Sequence, residues 1–418
     1  MTTHDRGAAK PSAPAPSFFE FVALIALMMG TTAFSIDNLL PAFDQIRADL
    51  SVPRASDLQL IVTAFMIGFA IMQLVFGTIS DVIGRKPALM IGLSIYALGC
   101  ALAAMTDSFA VLLIARGIQG MGAAAGRVLS VAIVRDRFKG QEMARVMSLS
   151  MMVFLIVPVV APSIGSAILL VGSWHFIFLA MFALAVVLAV WFAIRMPETL
   201  HPEYRVSFSV TGIVRGMRLT LTNRKAFGYA TGMGLMMGSL MAYVGSAQQI
   251  FDSEIYHLGV WFPLAFSSVA AVMSVASFLN SKLVRTVGMR HLSHGGVIGF
   301  TLVGAVQVGL ALAYHGQPPL ILFCGLLALN QALFALTVPN FNSMAMEPLG
   351  AIAGTASSFI GFYTTLLGAV LGMLFGQAVA GSVLPLVLGY LVLGLLALGA
   401  TLWAENGRLF GTRVQGQN

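Results

Sequence analysis

One carboxylate and two guanidinium groups stand where a chain this apolar would be expected to carry none. Asp37 lies near the far end of the unbroken apolar run from Phe18 to Leu40. An ionisable side chain within a membrane span is costly unless it faces a cavity or a partner, which makes Asp37 a functional candidate by default. A carboxyl there is kept neutral by desolvation and ionised by an opposing cation or a bound cationic substrate, so it can load and unload a proton. The competing reading is that Asp37, about one turn from the end of the run, only reaches the headgroups.

Arg116 and Arg127 form the second constellation. They are eleven residues apart, so on a helix they share one face at a separation of roughly 16 Å, and neither is expected to face lipid. Because chain direction alternates between spans, Arg116 and Asp37 fall at a similar depth, which leaves a relay between them open. Two readings stand for Arg127: contact with an anionic or zwitterionic substrate, or pairing with Asp81 or Asp136 near the inner surface. Gln119, Met237, Tyr243, Asn330, Gln331 and Tyr363 also lie within apolar runs and are candidates to line a substrate cavity, interhelical hydrogen bonding and plain packing being the alternative. Cys100 and Cys324 read as small core residues, and the histidines offer no metal-ligand spacing.

The elements that must position these groups follow from composition. The chain has 418 residues, 58% of them hydrophobic and 9% charged, against about half apolar and a quarter charged in a soluble protein. This is the composition of an integral membrane protein, and at about 20 residues per crossing the apolar runs allow twelve spans. They are expected near 18–40, 58–80, 87–106, 108–131, 145–171, 174–195, 226–248, 261–284, 292–315, 318–341, 353–380 and 382–405. The expected organisation is a tail over 1–17, a six-helix bundle over 18–195, a linker over 196–225, a second six-helix bundle over 226–405 and a tail over 406–418.

Lysine and arginine orient the spans, since short cytoplasmic loops hold the excess. With the N-terminus inside, all but Arg47, Arg54, Arg116 and Arg127 of the 23 basic residues fall on the cytoplasmic side, as do both termini, the linker and both tails. The net charge of +7 is thus a topology signal, and no nucleic-acid partner is needed to explain it. An intramembrane enzyme would need paired carboxylates, a Ser–His pair or a His-rich site in the spans, and a receptor would need a soluble domain; the sequence provides neither. No ATPase-type phosphate loop is present.

The loop after the second expected span reads Gly77-Thr-Ile-Ser-Asp81-Val-Ile-Gly84-Arg85-Lys86-Pro87. A tight turn needs Gly84, and Arg85 and Lys86 hold the loop on the cytoplasmic face. An offset of 204 residues lays Leu283 to Arg290 over Ile79 to Lys86, with Gly288 on Gly84. Together with Ser35-Ile-Asp37-Asn38-Leu-Leu-Pro41, Ala161-Pro162-Ser-Ile-Gly165, Ser173-Trp174-His175, Asn280-Ser281-Lys282, Asn342-Ser343-Met-Ala345 and Ala353-Gly354-Thr355-Ala356-Ser357-Ser358, this loop resembles the major facilitator superfamily, and within it the bicyclomycin and chloramphenicol resistance (Bcr/CflA) branch of drug:proton antiporters.

The resemblance runs from Asp37 to Ser358 and implies a fold of two six-helix bundles that work by alternating access, as a monomer, in a bacterial inner membrane. It implies export of small hydrophobic or amphipathic compounds, driven by the proton gradient without a cofactor; proton-coupled transport of a metabolite uses the same parts and is the alternative. It assigns proton coupling to Asp37 and Arg116. Gating falls to Gly77, Asp81, Gly84, Arg85, Lys86, Asp136, Pro162 and Gly165, with Asp81 facing the eleventh span near Gly354 and Arg85 pairing with Asp136; the simpler reading of Arg85 and Lys86 is as orientation charges. Ala161 and Ser166 replace two glycines of the family's antiporter motif, which leaves small residues for close packing but weakens the motif.

Overall fold

The computed structural model describes residues 16–201, 203 and 210–410; the N-terminal tail up to residue 15, the middle of the linker and the end of the C-terminal tail lie outside the described residues. Every element is helical. In chain order they are α1 (Phe18–Asp37), α2 (Phe43–Asp49), α3 (Gln59–Ile83), α4 (Arg85–Ala104), α5 (Phe109–Arg137), α6 (Gly140–Leu169), α7 (His175–Arg195), α8 (Val210–Thr222), α9 (Arg224–Gln248), α10 (Phe262–Val287), α11 (Met289–Ala313), α12 (Leu320–Met346), α13 (Ala353–Gln377) and α14 (Leu384–Ala404), with short 3-10 and π turns between some of them.

All of these except α2 and α8 sit at the expected spans. Ten of the helical segments are long and apolar enough to cross a bilayer. α6 contributes the shorter apolar stretch Ile156–Leu169. α9 interleaves its apolar side chains with glycine, serine and glutamine, and it is buried by protein: Tyr229, Met236, Ala242 and Val244 all face neighbouring helices. A helix surrounded by other helices does not need a lipid-compatible surface.

Two departures from the expected layout have local causes. The linker contains α8, whose Val210, Ile213, Val214, Met217 and Leu221 recur at helical spacing within an otherwise polar stretch and whose Gly216 lies against Thr355 of α13. The fourth expected span continues to Arg137, because α5 runs on beyond the apolar stretch and carries Arg135 and Arg137 in its last turn.

Capping and charge pairs anchor the helix ends. Ser17 and Glu20 form a capping box at the start of α1, and the Glu20 carboxylate also accepts from Arg195 Nε at 2.6 Å and Trp191 Nε1 at 3.0 Å, tying α1 to α7. Gly84 joins α3 to α4 at φ 105 and Gly288 joins α10 to α11 at φ 87, both in the region that side chains resist.

The helices before the linker pack on one another chiefly through α3–α5, α4–α5, α4–α7 and α1–α6, and those after it through α9–α13, α9–α14, α11–α14, α10–α12 and α11–α12. Between the two sets, α3 lies along α13 and α6 along α10. The α3–α13 seam is closed by polar contacts: Gln59 Nε2 donates to Gly372 O at 2.7 Å and Gln73 Nε2 to Thr365 Oγ1 at 2.9 Å.

Candidate functional site

Asp37 is the last residue of α1 and is 6% exposed, yet its carboxylate makes no hydrogen bond or ion pair with any described residue. It lies within electrostatic reach of the Tyr243 hydroxyl on α9, which is itself buried without a hydrogen-bond partner. The Tyr243 ring is held in place by stacking on Phe266 of α10, with ring centroids 5.5 Å apart. Asn38 is fully buried with both polar side-chain atoms unpaired, and Gly165 of α6 presses against its backbone carbonyl; no side chain larger than hydrogen fits there. A buried polar atom without a partner costs about 1–3 kcal/mol. Asn38, at the end of α1, and Tyr243, on α9, both carry such atoms.

Arg116 does not complete this site. It is fully buried on α5, donates Nε to Ile61 O at 3.3 Å and Nη1 to Gln119 Oε1, and its Cζ stands 4.5 Å from the Phe65 ring centroid. The relay left open by the sequence is not a direct ion pair: no described carboxylate lies within ion-pair distance of Arg116. Gln119 turns its amide to Cys100 Sγ at 3.0 Å and Met181 Sδ at 3.3 Å, so this predicted substrate contact is spent inside the first helix set. A polar chain runs from Arg116 to α1. Arg116 and Gln119 both act on Tyr96, and the Tyr96 hydroxyl bonds Ser35 Oγ at 2.6 Å, two residues before Asp37. Since Ser35 Oγ gives its proton to Thr31 O at 2.6 Å, Tyr96 is the donor to Ser35.

The Gly84 loop is a charged knot. Arg85, 4% exposed, donates Nε to Asp136 Oδ2 at 2.9 Å and Nη1 to Asp81 Oδ1 at 2.5 Å and Ser80 Oγ at 2.7 Å. Lys86 Nζ donates to Ala193 O and Met196 O, each at 2.7 Å, which binds the end of α7. Glu198 accepts from the backbone N–H of Arg85 at 2.9 Å and of Lys86 at 3.1 Å. It is an anion at the N-terminus of α4, and sequence reasoning missed it because more than a hundred residues separate it from the loop. Both carboxylates offered to Arg127 as partners are held by Arg85; Arg127 itself is half-buried on α5. Asp81 is bonded to Arg85 and not to α13, which the loop meets instead through Gly77 against Ser358.

Pro158 and Pro162 lie inside α6, and between them Val159 O accepts from Ser267 Oγ of α10 at 2.5 Å, a bond between the two helix sets where proline disturbs the helix.

The profile of the Major Facilitator Superfamily matches residues 23–373. The chain belongs to the major facilitator superfamily. It is 33% identical over 362 residues to the uncharacterized MFS-type transporter YdgK of Bacillus subtilis, covering 84% of this chain and 88% of that one. To the bicyclomycin resistance protein homolog of Haemophilus influenzae it is 31% identical over 376 residues, 89% and 92% of the two chains. The crystal structure of the D-xylose-proton symporter superposes with a TM-score of 0.73 at 15% identity, covering 93% of this chain and 97% of that one, a likeness of fold alone. As a major facilitator protein this chain is a multi-pass membrane transporter of small molecules, not an enzyme.

The remaining predicted contacts divide according to where this transporter places them. Tyr243 faces Asp37. Met237 packs under Gly368 of α13, and Tyr363 bonds Thr231 Oγ1 at 3.1 Å. Asn330 and Gln331 point elsewhere: Asn330 Nδ2 donates to Gln307 Oε1 of α11 at 3.0 Å and Gln331 Nε2 to the Tyr390 hydroxyl of α14 at 3.2 Å. These amides join α12 to α11 and α14, while Asn330 Oδ1 and Gln331 Oε1 stay buried without a partner.

Proposed function

We propose that this transporter exports small hydrophobic or amphipathic compounds in exchange for protons, from the cytoplasm across a bacterial inner membrane. Twelve spans form two bundles over 18–195 and 226–405, with both termini in the cytoplasm, and the protein works as a monomer whose energy comes from the proton gradient alone. The observation that supports this reading is the buried Asp37 carboxyl at the end of α1, with the unpartnered Tyr243 hydroxyl of α9 within electrostatic reach. Protonated, the carboxyl can donate to the phenol oxygen; ionised, it can accept the phenol proton or hold a cation. The two groups belong to α1 and α9, on opposite sides of the linker, so a change in proton occupancy bears on the contact between the bundles, which is what coupled alternating access requires.

Arg116 keeps its part in coupling through the Gln119–Tyr96–Ser35 path. The Arg85 knot, with Gly77, Asp81, Gly84, Lys86 and Asp136, forms the inner gate, and Pro162 and Gly165 provide the flexing and close-packing turn of α6. Similarity to a bicyclomycin resistance protein homolog supports drug export over metabolite uptake.

The test is proton movement in proteoliposomes of purified protein under an imposed pH gradient, with phenicols, sulfonamides and lipophilic cations added one at a time. Counterflow of protons against a compound is the expected result. Proton movement in the same direction as the compound would make the protein a symporter, and silence to the whole panel would remove the drug-export reading.

A further inference from the structure

We propose that the groove between α9 and α14 binds an anionic phospholipid of the cytoplasmic leaflet, its phosphate on Arg224 and Lys225 and an acyl chain along the helices. The groove encloses about 440 Å³ between Phe227 and Thr231 on one side and Leu395, Leu396 and Trp403 on the other. Its α14 wall is uncovered: Leu395 and Leu396 are 52% and 53% exposed, on a helix apolar enough to cross the bilayer. The floor is open at Gly399, where an added Cβ meets nothing within 4 Å. The one hydroxyl of the walls, Thr231 Oγ1, is already bonded to Tyr363, so the groove offers an apolar surface to its occupant.

The mouth of the groove has the opposite character. Arg224, the first residue of α9, donates Nε to Trp403 O at 2.5 Å, and its guanidinium stands 5.4 Å over the Trp403 ring. That pairing fixes the group in place and leaves the Nη donors unspent, and no described carboxylate lies within ion-pair distance of Arg224 or Lys225. A fixed guanidinium without a carboxylate in ion-pair distance at the end of an apolar groove, followed in sequence by Lys225, complements an amphiphile with an anionic head. Basic residues at the cytoplasmic surface attract anionic lipids at about 1 kcal/mol each, and guanidinium matches phosphate geometry. The cytoplasmic placement follows from the lysine and arginine bias; nothing in the inference depends on which compound is exported.

The experiment is delipidated full-length protein titrated with phosphatidylglycerol, with phosphatidylcholine and inorganic phosphate as separate arms, read by thermal unfolding and by retained lipid in native mass spectrometry. Phosphatidylglycerol is expected to raise the midpoint and to be retained, and phosphatidylcholine and phosphate are not. Arg224→Ala with Lys225→Ala should weaken retention by about tenfold or more. Gly399→Leu should also weaken it, because it fills open space and therefore folds. An equal shift with phosphatidylcholine, a full shift with inorganic phosphate alone, or undiminished retention in both variants would each overturn the proposal. So would a Gly399→Leu protein that retains lipid but loses transport, since the groove would then serve the transported compound.

Discussion

The loops at Gly84 and Gly288 share one backbone and differ in chemistry. Both glycines end one long helix and begin the next, with φ/ψ of 105/160 and 87/149. Around Gly84 the contacts are ionic, with Arg85 between Asp81 and Asp136 and Glu198 on the backbone of α4. In the second half the 204-residue offset puts Asn340 where the first half has Asp136, and it makes a neutral amide bond to Asn280 at 2.8 Å. The basic residue retained there, Arg290, reaches Glu405 at 3.4 Å, which also accepts from the Tyr229 hydroxyl at 2.6 Å. The same offset from Asp37 arrives at Met241. The two halves share the helix junction, whereas the paired carboxylates around one arginine and the acid at the Asp37 position occur in the first half, and the second pairs Arg290 with Glu405. That half is where a charge can be made or broken during a transport cycle.

The largest expected effect sets Asp37 against its counterpart. Asp37→Asn should abolish proton-coupled transport in proteoliposomes with the protein still inserted and folded, while Met241→Asn keeps coupling; transport unchanged in Asp37→Asn would sink the carrier role. Next, Arg85→Ala strands two carboxylates around a buried site and should cost about 3 kcal/mol in unfolding free energy. A loss as small as that of an exposed pair would mean the knot is a surface feature.

Gly84→Ala and Gly288→Ala should cost nearly the same, about 2 kcal/mol each, because both force a side chain into a disfavoured backbone region, and nothing within 4 Å of Gly288 adds a clash. Unequal costs in thermal melts would break the equivalence of the two junctions. Asn340→Ala should cost about 1 kcal/mol, the worth of a neutral hydrogen bond. The smallest functional effect is expected of Asn330→Ala, with a similar stability loss and no change in which compounds are transported, measured as KM across the panel.

Much of the fold was legible because a bilayer imposes long apolar runs, and a run such as His175 to Arg195 has no other use. The short helices were not. α2 and α8 lie in mostly polar stretches, and although the apolar spacing of α8 is helical, its contact with α13 through Gly216 and Thr355 is not written in that spacing. At the site, Asp37 and Tyr243 were each legible as polar groups in apolar runs. Asn330 and Gln331 carried the same signal and bond Gln307 and Tyr390, since burial in a span does not reveal which neighbour a side chain faces. Glu198 carried no signal, being one acid among others in the linker until α7 brings it beside α4.

Residue types and spacing by themselves determined a membrane protein of long helices and the glycine junctions at Gly84 and Gly288, and the family resemblance implied the pairing of Arg85 with Asp136. Each of these rests on hydropathy, on backbone sterics or on a resemblance carried in a short string. Only the tertiary structure decided that Arg116 turns to Gln119 and the Phe65 ring and makes no ion pair with Asp37, and that α3 meets α13 through Gln59 and Gln73. Those outcomes depend on how each helix is rotated about its axis, which side-chain packing among many helices sets and no single stretch of chain encodes.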